Sequence, residues 1–234
     1  MGKIKCIMFD CMETIVDMSE LPCKSDYALW AFQGSGCEKY FKDFDEFYDL
    51  YKKANEDILY QNPDYKEYSF EYIYEYILKY KNIYKDDQKN IINLLSENYW
   101  RNYKRRCYVD KSIINTLTYL NSKYTLGIVS NFKFIGGIED LLKSEGIYRL
   151  FSFIVVSINE GVRKPNSKLY NIAIKKSGFS KNHILFLGDS FENDYKAPEK
   201  VGLEAILLDK GKDKKANCKR ISKFSDIEDE IEDL

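Results

Sequence analysis

The side chains with the most chemistry to offer sit where short apolar runs break off. The opening stretch Lys3-Ile-Lys-Cys-Ile-Met-Phe-Asp-Cys-Met-Glu-Thr14 ends its apolar run in Asp10, and Leu126-Gly-Ile-Val-Ser-Asn131 ends in a hydroxyl and an amide. Gly161-Val-Arg-Lys-Pro165 sets Lys164 just before a helix start, and Ile184-Leu-Phe-Leu-Gly-Asp-Ser-Phe-Glu-Asn-Asp194 ends in two further carboxylates, Asp189 and Asp194. A carboxylate such as Asp10 can attack phosphorus or carbon, which divides one hard displacement into two easier ones through a covalent intermediate.

Runs this short, each closed by a polar turn, read as buried strands that deliver a side chain to their carboxyl edge. That edge is where open α/β sheets hold their chemistry. From Lys111 the pattern alternates: helix 111–122, strand 125–129, helix 137–145, strand 153–157, helix 167–177, strand 183–187, helix 192–201, strand 204–208 and an acidic helix near 225–234. The alternation predicts a parallel sheet with crossover helices. Strand 3–9 has no neighbour in sequence to pair with, so it must join that sheet. Between residues 21 and 103 apolar side chains recur at helical spacing instead: Tyr27, Trp30 and Ala31; Phe41, Phe44, Phe47, Tyr48 and Tyr51; Phe70, Ile73, Tyr74, Ile77 and Leu78; Ile91, Leu94, Leu95 and Tyr99. They predict four helices joined at 33–36, 62–64 and 85–87. The expected organisation is an α/β core of residues 1–17 and 105–234, a Rossmann-like parallel sheet with helices on both faces, interrupted by a small all-helical domain, 18–104.

Four strand edges in this order resemble the four motifs of the haloacid dehalogenase-like hydrolase superfamily. The resemblance covers the α/β part of the chain and implies that the helical insertion is a cap that closes over the active site and sets substrate choice. It also makes Asp10 the nucleophile. In the phosphatases of that superfamily the first motif is Asp-x-Asp-x-Thr, and its second aspartate protonates the leaving group and later activates water. Here Met12 holds that position. A thioether transfers no proton, and general acid–base help is typically worth about 10²–10⁴ in rate. Glu13 replaces the glycine common in the family and, with cap residues, is a candidate to supply the proton. Thr14 matches the family threonine, whose hydroxyl supports the nucleophile.

Asp189 and Asp194, converging with Asp10, would repel one another and the nucleophile unless a cation neutralised them. An all-oxygen, anionic set suits Mg²⁺. The resemblance implies that Asp10 and Asp189 ligate the metal directly, that the main-chain carbonyl of Met12 is a third ligand, and that Asp194 holds a metal-bound water. Ser130 and Lys164, with the amide of Asn131, would then hold phosphoryl oxygens as charge redistributes. The expectation is a phosphatase of a small phosphorylated metabolite that works through an aspartyl-phosphate on Asp10. Loss of the acid at position 12 suits leaving groups that need little protonation, such as acyl phosphates.

Other readings stay open. Metal-independent 2-haloacid dehalogenases also lack the second aspartate, but they use a cap arginine, and no arginine occurs between Asp10 and Arg101. A phosphonatase-like enzyme would use a cap lysine, Lys52 or Lys53, as a Schiff base. A degenerate member would bind a phosphorylated ligand or a protein partner without turnover. Trp30, Gln33 and the Gly34-Ser35-Gly36 turn are the cap residues expected to approach a substrate.

Composition narrows the partners. Lys plus Arg is 36 against 37 for Asp plus Glu, which offers no electrostatic attraction to nucleic acid or an anionic membrane. The apolar run near the amino terminus is too short for a signal peptide or a spanning helix, so the cytoplasm is expected. Six cysteines without a Cys-x-x-Cys pair fit free thiols in a reducing compartment. The single histidine, His183, precedes a strand and reads as structural. Exposed cap aromatics are compatible with a monomer or a homodimer.

Overall fold

The computed structural model describes residues 4–62, 65–83, 85–211 and 218–232. The chain begins with β1 (Cys6–Phe9) and a short β2 (Asp17–Met18), then forms α1 (Lys24–Phe32), α2 (Phe44–Gln61), α3 (Phe70–Tyr80) and α4 (Lys85–Lys104). After β3 (Cys107–Tyr108) come α5 (Lys111–Asn121), β4 (Thr125–Ser130), α6 (Gly137–Ser144) and β5 (Phe153–Val156). The single turn α7 (Ser157–Glu160), α8 (Ser167–Ser177), β6 (Ile184–Gly188) and a π-helical turn at Phe191–Lys196 follow. The last elements are α9 (Ala197–Lys200), β7 (Glu204–Leu208), β8 (Arg220–Ile221) and α10 (Ile227–Glu232).

Six strands form one parallel sheet in the order β5-β4-β1-β6-β7-β8, and β2 pairs with β3 separately. Because the chain fills one side of β1 with β4 and β5 before crossing to β6, the carboxyl ends of β4, β1 and β6 meet at a topological switch point, where sheets of this kind bind ligands. Cys6, Met8, Val129, Val155, Leu169, Tyr170, Ile184 and Phe186 are among the side chains packed between sheet and helices. Burial pushes the Cys6 thiol up to about 12, so it behaves as a small hydrophobe. Gly127 is demanded by packing, since a Cβ there would fall 2.1 Å from the Phe153 ring on the neighbouring strand.

Several sequence expectations need correcting. Residues 85–87, read as a connection, lie inside α4; the chain leaves α3 instead through Asn82, at φ 53°. Helix 192–201 starts as the π turn and only its last part, α9, is α-helical. Strands β2, β3 and β8 went unpredicted, because two residues are too few to show alternation. The first strand starts at Cys6 among the described residues, and Lys3, residues 63–64 and residues 233–234 lie outside them.

The chain divides into two compact units: Met1–Asp17, Tyr108–Phe132 and Gly136–Leu234; and Met18–Cys107 with Lys133–Ile135. In the second unit Phe47, Ile58, Ile73, Tyr74, Ile77, Ile91, Leu95 and Tyr99 are buried at the predicted helical spacing, whereas Leu94 is exposed. Asp43 and Ser69 cap α2 and α3 by accepting from the N–H groups of Glu46 and Tyr72. Asn98 on α4 is buried and donates to the carbonyls of Trp30, Ala31 and Gln33, which satisfies the otherwise orphaned end of α1. Trp30 itself is packed against Tyr27 and Tyr103, with the Arg106 guanidinium 4.5 Å from its ring centre. Gln33 and Gly34 are exposed, while Ser35 turns inward and donates to the Phe32 carbonyl.

Candidate active site

Asp10 follows β1 directly, and its N–H donates to the Leu187 carbonyl of β6 at 2.9 Å, so the nucleophile candidate is still held by the sheet. The chain then reverses. The N–H groups of Ile15 and Val16 both donate to the Cys11 carbonyl, and that of Glu13 donates to Val16. This turn places Glu13 at φ 60°, in the left-handed region. A non-glycine residue there costs about 1–2 kcal/mol, against about 0.5–1 kcal/mol of extra chain entropy for glycine. Glu13→Gly is therefore expected to stabilise the protein by about 0.5–1 kcal/mol, read as a higher urea midpoint at unchanged slope.

Lys164 reaches the same place from the loop before α8. Its Nζ lies 2.6 Å from Asp10 Oδ1 and 2.7 Å from Asp194 Oδ1, in a position closed to solvent. Burial opposes the charge on this lysine, but the two carboxylates more than reverse that, so its ammonium is held above the usual lysine range. Asn131 fixes the loop: its Oδ1 accepts from the Lys164 N–H at 2.7 Å and its Nδ2 donates to the Lys164 carbonyl at 3.1 Å. Both ends of that amide are thus committed to the main chain that carries the lysine.

Asp194 is delivered by the π turn, a helical irregularity of the sort that gathers at functional sites. Its N–H donates to the Ser190 carbonyl, the Ser190 N–H donates to its Oδ2 at 3.0 Å, and the Tyr170 hydroxyl donates to the neighbouring Asn193 carbonyl. Burial pushes the Asp194 carboxyl up to about 7; Lys164 draws it down and Asp10 adds a smaller upward push. Gly188 makes room for it. A Cβ at Gly188 would lie 2.5 Å from Asp194 Cβ and Cγ. Gly188→Ala is expected to cost about 1–3 kcal/mol through overpacking and to remove most turnover; a crystal structure of the variant with Asp194 unmoved would contradict this.

Asp10, Asp189 and Asp194 bring carboxylate oxygens within 4.8 Å of one another. Three carboxylates converge there with the Lys164 ammonium, and the donors are all hard oxygens. That set fits a divalent cation of the Mg²⁺ type. Ser130, at the end of β4, and Thr14, in the loop after Asp10, are buried with hydroxyls that have no partner among the described residues. Buried hydroxyls left this way are costly unless a ligand completes them.

Sequence reading did not single out Tyr170, Gly188 or Ser157. Ser157 sits at the start of α7, and its hydroxyl accepts from the Phe132 N–H, bracing the loop that follows Ser130. Tyr170 lies at ordinary core spacing on α8, Gly188 inside a strand and Ser157 at a strand end. None carries a local signal. Lys52 and Lys53 are surface groups: Lys52 pairs with Asp49, which raises its pKa, and Lys53 lies over the Tyr80 ring.

The parallel sheet thus gathers three carboxylates, a lysine and two buried hydroxyls around its switch point. The chain matches the haloacid dehalogenase-like hydrolase family over residues 7–208, and it belongs to that family. A glyceraldehyde 3-phosphate phosphatase of Methanothermobacter thermautotrophicus is 33% identical over 95 residues, 40% of this chain and 42% of that protein. A haloacid dehalogenase-like hydrolase domain-containing protein 3 of Danio rerio is 31% identical over 36% of this chain and 34% of its own length. These matches span less than half the length of the curated relatives. Among solved structures, a 2-haloacid dehalogenase of Pseudomonas syringae superposes with a TM-score of 0.78 at 17% identity, covering 98% of both chains. A HAD phosphatase of Thermococcus onnurineus gives 0.68 at 19%, covering 97% of this chain and 98% of its own. At such identities the superpositions establish the shared fold. No helix among the described residues is long and apolar enough to cross a membrane.

Proposed function

We propose that the protein is a Mg²⁺-dependent phosphatase of a small phosphorylated metabolite, with Asp10 as nucleophile. The observation that supports this reading is the carboxylate cluster of Asp10, Asp189 and Asp194, with Lys164 seated against Asp10 and Asp194. A halide-displacing site that works without metal has no need of three converging carboxylates. The partial sequence likeness to a glyceraldehyde 3-phosphate phosphatase points the same way.

In this reading Asp10 and Asp189, with the Met12 carbonyl, would hold the metal, and Asp194 would orient a water beside it. When bound, Mg²⁺ would neutralise the carboxylates and the charge on the phosphoryl oxygens. Lys164 lies against Asp10 and takes up negative charge on the transferring group, while Ser130 donates its orphaned hydroxyl to a phosphoryl oxygen. Thr14 supports the nucleophile, and Asn131 acts through Lys164 by holding its main chain. Asp10 attacks phosphorus, the leaving group departs, and water then cleaves the aspartyl-phosphate. The helical unit acts as the substrate-selecting cap. The cysteines are unbridged thiols, in keeping with a cytoplasmic location.

Phosphate release from a panel of phosphorylated metabolites, acetyl phosphate and p-nitrophenyl phosphate, with Mg²⁺ and then with EDTA, tests the proposal. Release that needs the metal is expected. Release of halide from 2-haloacids at equal rate in EDTA would replace this reading by the dehalogenase one.

A further inference from the structure

Asp194 sits on a turn whose main chain cannot complete its own hydrogen bonds. In an α-helix the Ala197 N–H would donate to the Asn193 carbonyl, four residues back. Here it donates to the Glu192 carbonyl, five residues back, which is the π register. The N–H that would reach the Asn193 carbonyl in that register belongs to residue 198, and residue 198 is a proline. Proline has no N–H to give. The carbonyl next to the aspartate that faces Lys164 is therefore left without a donor from its own turn, and a main-chain carbonyl unpaired away from water is costly.

Tyr170 supplies the missing donor from another element. It is fully buried on α8, its ring meets that of Phe186 edge-on with centroids 5.8 Å apart at 66°, and its hydroxyl donates to the Asn193 carbonyl. A ring fixed by close packing aims its hydroxyl at one place. The helix that carries it meets the site twice. Lys164 lies just ahead of Asn166, which caps α8 by accepting from the Lys168 N–H at 3.0 Å, and Tyr170 stands one turn in. Lys164 and Asp194, 2.7 Å apart, are thus both held from α8.

We infer that Tyr170 is a positioning residue: its hydroxyl stands in for the N–H that Pro198 lacks, fixes the π turn, and so sets where Asp194 stands relative to Lys164, Asp10 and Asp189. The consequence for a bound cation rests on the phosphatase reading; the consequence for the turn does not.

Two substitutions test this on the full chain. Tyr170→Phe removes the hydroxyl and keeps the ring, and Pro198→Ala puts an N–H where the π register needs one. In a crystal structure of Tyr170→Phe the turn is expected to relax, with Asp194 displaced from its 2.7 Å contact with Lys164. Calorimetry should show Mg²⁺ binding about 10-fold more weakly than to the parent, the scale on which a metal site suffers when an outer support is lost. Phosphate release from p-nitrophenyl phosphate should fall at limiting Mg²⁺ and recover at saturating metal. Pro198→Ala in the Tyr170→Phe background should return Asp194 to its place and restore most of the Mg²⁺ affinity. A lost packing contact on α8 would not be repaired by a main-chain N–H on a different element. A Tyr170→Phe structure with the π turn and Asp194 unmoved, or a loss that Pro198→Ala does not repair, would overturn the inference. If the parent binds no Mg²⁺, the metal reading fails, and the two structures alone decide the place of Tyr170.

Discussion

Asp10→Asn is expected to lower phosphate release by at least about 10⁴-fold, the scale seen when a nucleophile is removed from a site whose other parts remain. An amide oxygen is a poor nucleophile, so ³²P from a labelled acyl phosphate should no longer be retained on the protein. The same substitution should have the opposite effect on folding. Asp10 shares Lys164 with Asp194 and lies beside Asp189, so in EDTA its charge is set against two neighbouring carboxylates. Removing it relieves repulsion at nearly constant volume, and Lys164 keeps its bond to Asp194. The variant should therefore be more stable than the parent in EDTA, and the gain should shrink when Mg²⁺ is added. A fall in both activity and EDTA stability would mean that the Asp10–Lys164 pair contributes more to folding than the carboxylates lose by crowding. A parent and variant that bind ligand equally, with neither releasing phosphate, would identify a binding protein.

The opposed signs follow from what makes the site legible in sequence. Strand edges announce themselves because a buried strand must be apolar until it reaches the surface, so Asp10, Ser130 and Asp189 could each be placed at the end of a run. Parallel pairing of β1 with both β4 and β6 then brings those edges together, and alternation of strands and helices was enough to expect it. Lys164 was harder. Its loop has no periodicity, and only the order of the motifs suggested its place; the Asn131 clamp that holds it depends on the main chain folding back across more than thirty residues. The π turn that carries Asp194 left no signature, because it is held by a side-chain bond from the Ser190 N–H and a tertiary bond from Tyr170. Glu13 is the opposite case. The turn needs a positive φ, glycine would be the cheap choice, and the sequence gives no hint that glutamate tolerates it there.

Lys164→Met should be the most damaging single change to folding. The methionine keeps much of the buried stem volume but removes the charge, so Asp10 and Asp194 would face each other without a cation in a place closed to solvent. Breaking a buried pair from one side costs about 3–5 kcal/mol, because the surviving charge is stranded. Urea unfolding of the full chain in EDTA reads this loss directly. Mg²⁺ should restore part of it, since a cation that binds only the folded cluster adds stability by mass action. Activity should not return with stability, because the metal cannot replace an ammonium placed against the nucleophile and the phosphoryl group. The second variant separates the two causes. Asp194→Asn in the Lys164→Met background removes one of the stranded charges, and the double substitution should be more stable than Lys164→Met alone by about 1–3 kcal/mol, the coupling range for directly interacting residues. Additive losses in that cycle would mean that Lys164 stabilises the fold through its place over the Phe186 ring, and that the carboxylates around it are neutralised by some other route.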